Sequence, residues 1–189
     1  MIRLITIGDI TIAEEQMLPS FSYVEAPQKV AHARRSGDGT LRTQTLYRKY
    51  QTVINGISFD HFPGLERECE KDVNVNLSSI KTRLEKFSGD ASTTIFYLTR
   101  QTRVDVNYKA VVEHPVGTVL TETTDYTIAN VVESGVLKGK ITFTTAPASG
   151  TDNIAVTFYP LLEVFVTQCA LSWNEWQGET GWQIVCEEA

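Results

Sequence analysis

Three histidines, three cysteines and three tryptophans are the side chains of this 189-residue chain with the most chemistry to offer. Their spacing argues against most of it. His32, His61 and His114 are far apart, and none lies two to four positions from another His or Cys, so zinc or di-iron spacing is missing. A Ser-His-Asp set assembles in space rather than in sequence, but no Gly-x-Ser-x-Gly turn supplies a nucleophile. Ser36-Gly37-Asp38-Gly39-Thr40 has the glycines of a phosphate loop and lacks its lysine and its following helix, so it reads as a tight turn. Asp38 with Asp9 or Asp60 offers calcium-type oxygens without EF-hand spacing. Glu187 and Glu188 are adjacent, and neighbours on a strand face opposite sides, which disqualifies them as a joint acid–base pair. Cys69, Cys169 and Cys186 read as reduced thiols, with a Cys169–Cys186 bridge open if their strands pair. Trp173, Trp176 and Trp182 fall within ten positions. They suit a sugar-stacking platform or an interface anchor; alternatively Trp173 and Trp182 are core residues on neighbouring strands and Trp176 is exposed on a loop.

The composition supports a folded chain. Hydrophobic residues make up 42%, enough for a core, and neither Gly nor Pro is in excess. A net charge of −6 argues against a dedicated nucleic-acid binder. No apolar run approaches the roughly 18–20 residues of a membrane helix, and Met1–Asp9 lacks the pattern of a signal peptide. Charge is unevenly placed. Residues 29–49 carry +5, through Lys29, Arg34, Arg35, Arg42, Arg48 and Lys49 against Asp38, whereas residues 161–189 carry −5 and no cation. Segments of opposite sign pair within one fold, stay solvated, or meet between copies of the chain.

The elements that must position these residues read as strands. Ile2–Ile7 ends at a Gly8-Asp9 turn, with Ile10–Ile12 returning. Phe21–Val24 is a strand closed by Pro27, and Thr40 to Ile57 is a long alternating one, on which Arg42 and Arg48 share a face. Asn55-Gly56 reads as a hairpin turn or strand end. Leu77, Ile80, Leu84 and Phe87 recur at helical spacing between an N-cap at Asn76 and a stop at Gly89, which predicts an amphipathic helix over 77–88. Residues 64–71 suggest a further helical turn. Strands follow at Thr93–Thr99 and Val104–Val112, and Gly139–Pro160 reads as a β-hairpin around a Pro/Ser/Gly/Asp turn. Val164–Ser172 and Trp182–Glu187 end the chain. Pro115, Gly117 and Pro160 punctuate a stretch that reads as a self-contained insertion.

The run Ala33-Arg34-Arg35-Ser36-Gly37-Asp38-Gly39-Thr40-Leu41-Arg42, leading into a long alternating strand, resembles the N-terminal half of tailed-bacteriophage distal tail and tail-tip (baseplate adaptor) proteins. The helix expected at 77–88, the following Thr94–Leu98 strand and the ending Trp182–Glu188 are similar in order. Asp125–Ile128 with Gly139–Gly150 is similar to a small β module of phage tail and baseplate proteins. The resemblance implies a mainly β fold: a β-sandwich or rolled barrel with one packed α-helix from residues 1–114 and 161–189, and a small inserted β domain at 115–160. It implies a structural virion protein of the tail and no enzyme. Such a protein forms a hexameric ring joining the tail tube to the tip or baseplate hub, is assembled in the host cytoplasm, and has DNA only as cargo in its lumen. No cofactor, metal or membrane is expected. The interface candidates are Arg34, Arg35, Arg42, Arg48 and Trp176. The alternatives are a tail-tube or tube-completion subunit and a carbohydrate-binding tail module.

Overall fold

The computed structural model describes residues 4–13, 21–35, 41–58, 73–174 and 179–189. The expected turns at 36–40 and 64–71 lie outside them. Among the described residues the fold is strands with a single 3₁₀ turn, and the chain divides into two compact units: residues 1–5 with 78–162, and residues 6–77 with 163–189.

The second unit is built on an antiparallel sheet. Its strands are β1 (Leu4–Ile7), β2 (Ile10–Ala13), β3 (Ser22–Arg35), β4 (Leu41–Ser58), β5 (Val75–Ser78), β13 (Pro160–Asn174) and β14 (Glu179–Glu188), in the spatial order β2-β1-β5-β13-β14-β4-β3. Gly8 takes a positive φ of 57° at the β1–β2 turn, as its sequence suggests. One face of the central strands is apolar: Thr52, Ile54 and Gly56 stand opposite Cys186, Ile184 and Trp182, all buried. Gly56 does not turn the chain. It lies mid-strand because the Trp182 indole fills the space above it, and a Cβ there would sit 2.3 Å from Cζ2. β3 also runs on past the position where Pro27 was expected to close it. Pro27 stands opposite Tyr50 on the strand that ends the sheet, where its missing N–H costs no ladder bond.

The first unit holds β6 (Arg83–Gly89), β7 (Ile95–Tyr97), β8 (Gln101–Thr102), β9 (Val111–Glu113), β10 (Tyr126–Glu133), β11 (Val136–Phe143) and β12 (Gly150–Phe158), with the 3₁₀ turn at Val106–Tyr108. They form two three-stranded sheets, β10-β11-β7 and β6-β12-β9, while β8 pairs with the first residues of β13. Ile141 and Phe143 of one sheet and Val112, Ile154, Val156 and Phe158 of the other join Leu98, Ala110 and Tyr126 in one core. Phe87, Phe96 and Phe143 run through it as a chain of tilted and edge-on rings 5.5 and 5.6 Å apart. Residues 115–160 therefore share their core with residues 87–112, and the boundary expected at 115 falls inside it.

Three expectations are corrected. The helix at 77–88 is absent: the segment is the end of β5, a turn, and β6. Along β6 burial alternates with period two, from half-buried Arg83, Glu85 and Phe87 to exposed Leu84, Lys86 and Ser88. Pairing with β12 (Phe87 opposite Ile154, Glu85 opposite Val156) outweighs a helical spacing of four apolar residues. The Gly139–Pro160 hairpin is also absent. Its two strands are the central strands of different sheets, each already flanked on both sides. The hairpin that does form is β10–β11, closed at Ser134-Gly135 with φ of 52° and 80°, the two positive values a tight two-residue loop needs. Finally, the Val104–Val112 strand is replaced by the 3₁₀ turn and the short β9, leaving Val104 and Val106 exposed.

Candidate functional site

The four arginines singled out in the sequence come together on one element. β14 pairs with β4 only from Gln51 to Ser58. From Tyr50 outward, among the described residues, β4 pairs with β3 alone, so residues 28–35 and 41–50 form a two-stranded arm at the end of the sheet. Arg34 stands opposite Arg42, Arg35 opposite Leu41, Lys29 opposite Arg48, and Gln28 opposite Lys49. A register shift on β4 between Thr45 and Tyr47 sets Arg42 and Arg48 opposite β3 residues of different parity.

At the arm's base lies a shallow pocket of about 310 Å³, lined by Tyr50, Phe165, Glu187 and Glu188 with Gln28 and Lys49. The Tyr50 backbone N–H donates to Glu188 Oε2 at 3.1 Å. Phe165, opposite Glu187 on the neighbouring strand, is exposed. Glu187 and Glu188 both line this pocket, although as strand neighbours their side chains leave opposite faces of the sheet. Sequence reasoning missed this site. The signal was Phe165, an aromatic at an outward position of an otherwise alternating strand, in the stretch that carries −5.

The remaining candidates do not form a reactive constellation. Trp176 lies outside the described residues. Trp182 is buried, 6.4 Å from the Phe21 ring, so it cannot join an exposed sugar platform, and Trp173 stands opposite Thr180. Cys186 is a free, buried thiol pushed up to about 12 by burial, whereas Cys169 is disulfide-bonded, so the two are not joined to each other. In the first unit, His114 and Asp125 line a pocket of about 260 Å³. His114 Nε2 accepts from the Ala148 N–H at 3.1 Å and its Nδ1 faces the Asn153 carbonyl at 3.2 Å, so both nitrogens hold backbone. Asp125 Oδ2 accepts from the Thr121 N–H. Asp90 is a turn-former: its carboxylate accepts from the Thr93 hydroxyl and from the Thr93 and Ser92 N–H groups, which hold it well below the usual carboxylate range. Among the described residues, no three His, Cys, Asp or Glu side chains gather as a metal site.

Comparison with models of known protein families and with curated proteins finds no match.

Proposed function

We propose that this chain is a structural subunit that works by assembling with copies of itself, and that the assembly is the ring joining tail tube to tail tip or baseplate in a tailed phage. The observation that carries self-assembly is the basic arm. With −6 overall and +5 in residues 29–49, the rest of the chain carries −11, so the surface best matched to the arm is another copy of the same protein. A contact between two different surfaces of identical subunits is heterologous, and it closes into a ring or runs on as a polymer. Among the described residues β3 is the outermost strand of its sheet, and an outer edge is a template for strand addition. The placement in a phage tail rests on the sequence resemblance, as does a hexameric copy number with tail-tube and hub proteins as neighbours and DNA passing through. In this reading each unit is a small β-sandwich or rolled barrel, the first enclosed by its two three-stranded sheets, and no bond is made or broken.

Negative-stain electron microscopy of the purified protein tests the reading. Closed rings of one size are expected. Long tubes would move the assignment to a tail-tube subunit, and monodisperse monomers at every concentration would overturn self-assembly.

A further inference from the structure

The pocket at the base of the arm has the chemistry of an arginine acceptor. Glu187 and Glu188 line it with Lys49, Tyr50 and Phe165; Phe165 stands opposite Glu187 on the neighbouring strand, and Glu188 already accepts the Tyr50 N–H. A guanidinium pairs with a carboxylate through parallel N–H bonds while its flat face stacks on a ring, a combination an ammonium cannot reproduce. Four of the arm's six cations are arginines.

The geometry also says whose arginine this is. Gln28, Lys49 and Tyr50 line the pocket and are the root of the arm. Arg35 and Leu41 are its outermost described pair, seven residues beyond Gln28 on an extended strand. At about 3.3 Å per residue the tip stands about 23 Å from the root. A paired ribbon interrupted by a single one-residue bulge bends there but cannot double back to lay its tip on its own base. Tip arginines therefore reach such a pocket only on another molecule. We infer that the pocket lined by Tyr50, Phe165, Glu187 and Glu188 receives the tip of the arm, Arg34, Arg35 and Arg42, from a second copy of this chain. The inference rests on the self-assembly reading and specifies its contact. Duplex DNA is the competing partner for a basic ribbon, and the −11 carried by the rest of the chain disfavours it.

Complementary charge reversal in the full chain tests the contact. Sedimentation velocity compares the wild type, Arg35→Glu with Arg42→Glu, Glu187→Lys, and an equimolar mixture of the two reversed proteins. Near-ultraviolet circular dichroism verifies folding, and Phe165→Ala with Glu187→Gln replaces Glu187→Lys in the single-variant comparison if that protein does not fold. Each reversed protein alone should self-associate at least about tenfold more weakly, and the mixture should recover most of the loss. A wild type that assembles while the reversed proteins assemble equally well overturns the pocket and leaves self-assembly standing. Loss in each reversed protein without recovery in the mixture also overturns the pocket, since the arm then docks elsewhere. A wild type that never assembles overturns both. Binding of a fluorescent DNA duplex that Arg35→Glu with Arg42→Glu abolishes, with assembly unchanged, replaces the second copy by nucleic acid.

Discussion

Leu84 and Phe87 sit three residues apart, and a helix and a strand assign them opposite consequences. On a helix both belong to one buried stripe. On β6 they face opposite ways: Leu84 is 58% exposed, while Phe87 packs against the core with its ring 5.5 Å from Phe96. Truncating a fully buried Phe to Ala costs about 3–5 kcal/mol. Phe87 is half-buried, which reduces that to about 1.5–2.5 kcal/mol, and losing an aromatic pair adds about 0.5–1.5 kcal/mol. Phe87→Ala should therefore cost about 2–4 kcal/mol. At about 2–4 °C per kcal/mol for a chain of this size, the melting temperature should fall by about 4–16 °C. Leu84→Ala removes atoms that already touch water and should stay within about 0.5 kcal/mol. Leu84→Thr sharpens the contrast, since a β-branched residue suits an exposed strand position and is disfavoured in a helix. Urea unfolding, followed by far-ultraviolet circular dichroism, reads all three. Equal losses from Leu84→Ala and Phe87→Ala, or a clear loss from Leu84→Thr alone, would refute the strand and restore the helix.

Gly89→Ala should cost about 1–3 kcal/mol, because the new Cβ would lie 2.3 Å from the Ala148 carbonyl oxygen. Gly135→Ala meets no atom and should lose only the about 1–2 kcal/mol of a left-handed backbone; the two urea midpoints make the comparison. Arg103 is buried, with its Nε on Asp105 at 2.8 Å, its Nη1 on the Ser79 carbonyl at 3.1 Å and its guanidinium 3.6 Å over the Tyr108 ring. Arg103→Lys should lose about 1–3 kcal/mol in the same assay, since one ammonium cannot serve all three. Cys186 should resist alkylation at pH 8 and react in urea, as mass spectrometry of the labelled peptide will show. Because burial raises its folded pKa to about 12, its contribution to stability is complete below the unfolded value of about 8.5 and is lost as pH rises towards 12.

The alternating strands were legible in sequence; their partners were not. Ile5, Ile7, Ile10 and Ile12 are buried around Gly8-Asp9, as alternation and a turn signal require. Leu41–Ser58 is one strand, as its β-prone run requires. The misreadings fall where two patterns compete. Leu77, Ile80, Leu84 and Phe87 imitate a helix because β5 and β6 are separated by a turn at Ser79–Thr82 that changes the parity of the inward positions. Ser79 Oγ accepts the Lys81 N–H within that turn, a local bond that leaves no hydrophobic trace in the sequence. The 139–160 hairpin failed for a different reason. A strand has two edges, and both edges of β11 are taken, one by β10 and the other by β7, some 45 residues earlier in the chain, where Ile95–Tyr97 is too short to announce itself. The arm shows the converse. Its arginines were visible as charge, yet their alignment depends on a one-residue shift between Thr45 and Tyr47 that no composition reveals.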